Sequence, residues 1–349
     1  DRKVTPQGYE YAYYYQNIWT EAVDLSKGMV SVKNENFFRP LDYVNMKWTL
    51  TLNGKIVKEG VITNLNVAPQ QSQEVTIPFD ATSVGQGELL LNVSYVMKAK
   101  EPLLDAGQEI AHQQFVINSY DYAAEISGKT NAVEESNAAK TTFTPLPFTL
   151  RPNFWRAMTD NDFGARLTQR LKAWNNPRMW CESRTLEGNK VVEKSRIDAV
   201  HANFTLTYTS LADNIWKVEE SIAFDSDTIK VANMPRFGVV ILLPYDMDQS
   251  TWYGRGPIEN YADRKMSQNI GIYTATADNQ FWPYVRPQET GSKCDIRWWK
   301  QSKGNEGYEV FSDDSFSACA LHYEVRDMDE DSKKQRHPQD IKKSYYTNL

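Results

Sequence analysis

An all-β protein built as two successive antiparallel units is what this sequence predicts, on three observations. Short runs of alternating apolar and polar residues recur from Gly28 onward. An Asn-Gly pair, Asn53 and Gly54, separates two of them, and only one stretch of the 349 residues carries a clear helical period. The length exceeds what one hydrophobic core usually supports, so two domains are expected.

Taken in order, the segments "MVSVKNENFF", "VNMKWTLTLNGKIVKEGVI", "SQEVTIPF" and "GELLLNVSYV" read as strands between turns. Asn53 and Gly54 lie between "KWTLTL" and "KIVKEGVI", and both residue types tolerate the positive φ of a two-residue hairpin turn. A strand "AHQQFVI" at 111–117 closes an expected immunoglobulin-like sandwich over residues 1–118. The polar segment "SYDYAAEISGKTNAVEESNAAKTT" and the proline-punctuated "FTPLPFTLRPNFW" then lead into a second domain, 119–349. There "HANFTLTYTS", "IWKVEESIAF", "FGVVILLP" and "FSACALHYEV" read as strands. "ARLTQRLKAW", Ala165 to Trp174, reads as a helix after a cap region at Asp160 to Asp162. No repeat of fixed period supports a propeller or solenoid.

The bulk numbers exclude several functions. The 39 basic residues are dispersed against 45 acidic ones, for a net charge of −6, which argues against a nucleic-acid surface. No apolar run approaches the roughly 20 residues that cross a bilayer, and the first residues have no signal-peptide stretch. Cys181, Cys294 and Cys319 are odd in number and widely spaced, so neither a disulfide framework nor a zinc knuckle is expected.

The search for chemistry narrows quickly. His112, His201, His322 and His337 lack metal-ligand spacing. The run through Asp327, Asp329 and Asp331 imitates a calcium loop, but Ser332 stands in place of its glycine and Pro338 in place of its bidentate glutamate. No serine or cysteine sits in a nucleophile motif, and "GRGPIE" puts Glu259 where a dinucleotide fingerprint needs glycine. Two acidic pairs remain for acid–base work, Asp160 with Asp162 and Glu259 with Asp263. The alternative, turn-forming acids that bond backbone amides, is favoured because a catalytic pair is normally gathered from distant strands. The 10 Trp and 19 Tyr, among them Trp155, Trp252, Tyr253 and Trp299, suit a β core better than a sugar platform.

Three longer motifs give a resemblance. "RPNFWRAMTDNDFG", "STWYGRGPIENYADRK" and "PYVRPQETGSKCDIRWW", in that order, resemble the C-terminal part of glycoside hydrolase family 2 β-galactosidases, whose usual forms are close to NFWRAPTDND, WYGRGPxExYxDR and PQENGxxxDVRW. Upstream, "FFRPLDYVNMKWTLTLNGKIVKEG" and "AGQEIAHQQF" resemble the immunoglobulin-like module before that last domain. Met158 and Thr290 depart from the usual proline and asparagine. The pieces near 128–150 and 225–237 are shorter than the family's usual form.

The resemblance implies an immunoglobulin-like sandwich followed by a large antiparallel supersandwich similar to galactose mutarotase, cut short at its C-terminal end. It implies a parent enzyme whose catalytic glutamates, magnesium and possible sodium belong to a TIM barrel outside this chain, with no catalytic residue and no metal site here. Expected partners are the galactoside substrate by way of the parent, the barrel and N-terminal domains, and further copies in a homo-oligomer; nucleic acid and membrane are not expected. Asp160, Asn161, Asp162 and Gly164 become the substrate-mouth candidates. Trp155, Arg156, Trp252, Tyr253, Arg255, Glu259, Asp263 and Arg264 form a structural brace. The alternative is a carbohydrate-binding or assembly module with no hydrolytic role.

Overall fold

The computed structural model describes residues 3–81, 84–135, 139–226, 228, 230–329 and 336–349, the side chains of 134 and 135 excepted. The chain opens with helix α1 (Pro6–Tyr14), started by a proline in its first turn and anchored by buried Tyr13. Two sheets follow. One orders β1 (Ile18–Asp24), β2 (Met29–Asn34) and β5 (Ser72–Thr76) as β1-β2-β5. The other joins β3 (Val44–Leu52), β4 (Lys55–Ile62), β6 (Leu89–Met97) and β7 (Glu109–Asn118) as β4-β3-β6-β7. Their inner residues share one core: Val30 and Val32 from the first sheet meet Val44, Met46, Leu89 and Leu91 from the second. The alternation read from the sequence therefore becomes a sandwich, with one face of each sheet withdrawn from water.

The Asn53-Gly54 hairpin forms as expected, with φ of 48° and 78° at its two turn residues. Gly54 meets a second demand. A Cβ there would stand 2.7 Å from Ile272 Cγ1 and 2.9 Å from the Tyr253 ring, because the tip of this turn lies against a later sheet.

The polar segment after residue 118 is not a linker. Residues Tyr122–Glu135 form helix α2, with an i,i+4 pair between Glu125 and Lys129. Alanines and paired charges suffice for a helix that has a surface to lie on: Lys129 Nζ sits 3.7 Å over the Phe311 ring.

Three further antiparallel sheets follow among the described residues. The first orders β9 (Trp180–Glu187), β10 (Lys190–Ile197), β11 (Ala202–Ala212) and β12 (Ile215–Phe224) as β12-β11-β10-β9. The second joins β8 (Thr149–Asn153), β13 (Gly238–Pro244) and β18 (Tyr346–Asn348) as β18-β13-β8. The third contains β14 (Gln249–Gly256), β15 (Asn269–Thr276), β16 (Lys293–Lys303) and β17 (Glu306–Ala318) as β15-β14-β16-β17. Two expectations need correction here. "ARLTQRLKAW" is not one helix: Arg166 adopts φ 57°, and only α4 (Leu167–Arg170) and a single 3-10 turn, Lys172–Trp174, follow it. The cap region is itself a short helix, α3 (Asp160–Gly164). "FSACALHYEV" is strand only to Ala318; beyond it the chain turns inward to bury Ala320 and Leu321 before the short helix Val325–Met328.

The aromatics singled out in the sequence behave as core. Trp252 and Trp299 stack at 5.3 Å with 16° between their planes, and Trp155, Trp174 and Tyr253 are buried. Of the calcium-like run, Asp329 accepts hydrogen bonds from Trp155 Nε1 at 2.6 Å and from the Met158 amide at 3.3 Å. Asp331 and Ser332 lie outside the described residues.

Candidate functional site

The sheets after residue 118 surround an open cleft of about 3890 Å³, walled by α2, β12, β13, β16 and β17. That is several times the roughly 300–1,000 Å³ of a small-molecule pocket. Four of the residues that line it have buried side-chain atoms with no partner among the described residues: Glu220 Oε1, Tyr261 Oη, Arg264 Nη1 and Asn348 Oδ1. Burial pushes the Glu220 carboxyl up to about 7.

Asp160, Asn161 and Asp162 lie on this cleft, in the segment from Trp155 to Gly164. Thr159 caps α3 through a reciprocal box, its hydroxyl accepting from the Asp162 amide while Asp162 Oδ2 accepts from the Thr159 amide at 2.8 Å. Arg156 grips the same carboxylate with two bonds, at 2.6 and 3.0 Å. Burial alone would raise the Asp162 carboxyl; Arg156 and Thr159 outweigh it and hold the group below its ordinary range. Asp162 is thus an anchor of the turn. Asp160 and Asn161 are exposed, Asp160 pairing with Arg286 at 3.2 Å, and Gly164 has open space around it.

The brace residues do not simply bond one another. Arg255 reaches Asp295 at 2.6 Å and the carbonyls of Gln268 and Lys265 at 2.7 and 3.2 Å. Lys265 closes on the same Asp295 at 2.8 Å. Burial would lift the Asp295 carboxyl, but these two cations keep it low. Trp252 Nε1 donates to the Arg255 carbonyl at 3.0 Å, tying the stacked indole to the turn. Glu259 is buried and accepts from Arg264 at 2.8 Å, from the Gly291 amide at 2.8 Å, from Thr290 Oγ1 at 3.0 Å and from the Tyr284 hydroxyl. Asp263 is exposed, so the structure does not bring Glu259 and Asp263 together as a pair.

Several participants carried no signal of their own. Glu289, in the quoted "PQETG", accepts from Arg236 at 2.5 Å and from the Ala157 amide at 3.2 Å. Glu88 accepts from Arg297 at 3.0 and 2.5 Å and from the Tyr253 hydroxyl, across 165 residues of sequence. Burial, then the Glu88 carboxylate, raise the Tyr253 phenol. Lys293 is fully buried beneath the Trp252 ring and gives Nζ to the Gly291 carbonyl at 2.7 Å; burial pulls its amine down to about 8. The two departures from the usual motif find uses. The Thr290 hydroxyl accepts from the Trp282 amide at 2.9 Å while donating to Glu259, and Met158 supplies the N–H that Asp329 takes, which a proline lacks.

Comparison with known proteins places these braces in a family. Residues 118–349 match the family described as beta galactosidase small chain, and residues 30–118 match beta-galactosidase domain 4. The chain belongs to the beta-galactosidase small-chain family. Curated relatives named beta-galactosidase include one from Priestia megaterium, 30% identical over 331 residues, which covers 85% of this chain and 32% of the relative. One from Lactobacillus delbrueckii subsp. bulgaricus is 25% identical, covering 94% of this chain and 35% of the relative. One from Halalkalibacterium halodurans is 26% identical, covering 99% and 37%. The chain spans about a third of the length of these relatives. In this comparison the chain is similar to the C-terminal part of a beta-galactosidase.

Proposed function

We propose that this chain is the non-catalytic C-terminal part of a retaining β-galactosidase that hydrolyses terminal β-D-galactosides, and that it stiffens the parent enzyme and shapes its substrate mouth. The observation that carries the reading is how four carboxylates of the three quoted motifs are used. Asp162, Glu259, Glu289 and Asp295 each hold an arginine, and each also takes a further amide, hydroxyl or cationic donor. A retaining hydrolase needs one carboxyl free to give a proton and another, about 5 Å away, free to attack. Acids locked in this way serve shape rather than bond cleavage. The reading assigns the catalytic pair, the magnesium and any sodium to the part of the parent outside this chain, and takes 118/119 as the domain boundary.

Two features support a bracing role. The cleft, at about 3890 Å³, is large enough to take further polypeptide of the parent. At the other end, Phe37 and Phe38 stand exposed side by side with ring centroids 6.2 Å apart, suited to packing against another domain. The test is complementation. The 349-residue chain alone is expected to leave a chromogenic β-galactoside uncleaved, and its addition to the parent lacking this segment to restore turnover. Turnover by the chain alone would overturn the proposal.

A further inference from the structure

Of the four histidines only His322 is buried, its side chain 2% exposed. Its ring stacks on Tyr245, with centroids 3.8 Å apart and 15° between the planes. Each ring nitrogen faces an oxygen: Nδ1 lies 3.2 Å from Asp278 Oδ1, and Nε2 lies 3.1 Å from the Tyr245 carbonyl. Asp278 comes from the short helix α5 (Ala277–Gln280).

A carbonyl oxygen only accepts, so Nε2 must carry a hydrogen. Asp278 is an acceptor too. Lys343 grips both of its oxygens, at 2.6 and 2.8 Å, and Lys343 together with His322 outweighs burial to hold this carboxyl below its ordinary range. Nδ1 therefore needs a hydrogen as well. A neutral imidazole has one hydrogen for two nitrogens, and only the doubly protonated ring satisfies both oxygens.

The same residue holds the segment that carries β18. The Ser344 amide donates to the His322 carbonyl at 2.7 Å, and Thr347 Oγ1 donates at 2.8 Å to the same Tyr245 carbonyl that faces Nε2. Beyond them β18 pairs with β13, and Leu349 exchanges two backbone bonds with Ile241, at 2.7 and 3.0 Å. Strand β13 lines the cleft. The titratable and charged groups around the ring are Asp278 from α5, Lys343 from the segment before β18, Tyr245 just after β13, and Tyr323 next in sequence.

We propose that His322 is a proton-dependent clasp that fastens β18 onto β13. With hydrogen on both nitrogens the ring ties Asp278, and through it Lys343, to the Tyr245 carbonyl. When the ring loses one hydrogen, a bare Nδ1 faces a carboxylate in a dry site and β18 loosens along the cleft wall. The closed form binds the extra proton, so the clasp holds at low pH and opens as pH rises through the titration of the ring.

The test follows amide hydrogen exchange at Ser344, Asn348 and Leu349 in the 349-residue chain between about pH 5 and 8, as protection relative to the unstructured rate at each pH. Ring nitrogen chemical shifts, measured by NMR in the same samples, report the hydrogens on His322. Both nitrogens are expected to carry hydrogen at the low end, and protection to fall about tenfold as one is lost, as for one charge-assisted hydrogen bond. Asp278→Asn supplies an amide that can accept from a protonated Nδ1 or donate to a bare one, so protection should stay high and flat. His322→Gln cannot titrate and should give flat protection at the lower level. The wild-type titration and Asp278→Asn, at an exposed carboxylate, decide the outcome even where His322→Gln does not fold. Wild-type protection that ignores the titration of the ring, or a ring with a single hydrogen at the low end, would overturn the clasp. So would an Asp278→Asn chain that keeps the wild-type pH dependence.

Discussion

The seam between the N-terminal sandwich and the later sheets differs sharply from the cleft within those sheets. Both hold polar groups shielded from bulk water; the seam pairs those named below, while the cleft mixes paired carboxylates with a few lone atoms. At the seam, Glu88 and Arg297 have side chains 1% and 8% exposed and share two hydrogen bonds. Gln114 behaves as a short piece of strand, giving Nε2 to the Ile270 carbonyl at 2.8 Å and taking the Ile270 amide at 2.8 Å. Glu10 accepts the Met266 and Ser267 amides at 3.0 and 3.1 Å. Across the cleft, Glu220 and Tyr261 keep lone atoms. A buried polar group costs little when paired and a good deal when not, so the seam is the better satisfied of the two.

That contrast can be broken or sharpened by substitution, the largest effect first. Arg297→Met strands the Glu88 carboxylate in a dry seam, and we expect a loss of about 3–5 kcal/mol in chemical denaturation. A loss below about 1 kcal/mol would mean that the seam tolerates an unpaired charge and is wetter than described. Arg255→Ala removes one bond to Asp295 and two to the Lys265 and Gln268 carbonyls but leaves the Lys265 side chain on Asp295, so about 2–3 kcal/mol is expected. In the parent enzyme the melting temperature should fall more than galactoside turnover; abolished turnover at an unchanged melting temperature would move Arg255 from brace to active site. Gly54→Ala meets both the positive φ of the hairpin and the Ile272 side chain, for about 1–3 kcal/mol, with the mutant's unfolding midpoint as the measure.

The smallest effect tests the cleft and has the opposite sign. The Glu220 carboxyl is raised in the folded chain, so the folded state holds its proton more tightly than the unfolded one. Its contribution is present below the ordinary value of 4.5 and is lost as pH rises through about 7. Glu220→Gln should therefore stabilise the chain by about 1–2 kcal/mol at pH 8 and leave it unchanged at pH 4. Equal stability of the two proteins at pH 8 would show that the carboxyl is solvated, and the cleft would no longer stand apart from the seam.

How much was legible in advance follows the range of the interactions. The Asn53-Gly54 turn was readable because its two residue types answer a backbone demand made within the turn itself. Trp252, Tyr253 and Arg255 could be marked as a brace, but their partners could not: Asp295 stands 40 residues beyond Arg255 and Glu88 lies 165 before Tyr253. Helix α2 escaped because its residues show no apolar stripe; Asp121 caps it by accepting the Ala124 amide at 2.8 Å, and the sheet it covers stabilises it. Asp160 and Asp162 look alike in "TDND", yet one is exposed at the rim and the other is the buried anchor of Arg156.

By itself the sequence determined the antiparallel β character, the first hairpin and the order of the three motifs, all of which depend on alternation and turn chemistry among near neighbours. Tertiary structure alone decided which acids became braces, which stayed exposed, and where a few polar atoms were left alone. The reason is that burial and pairing set the energy of a charge, and both depend on residues that the chain brings together only once it has folded.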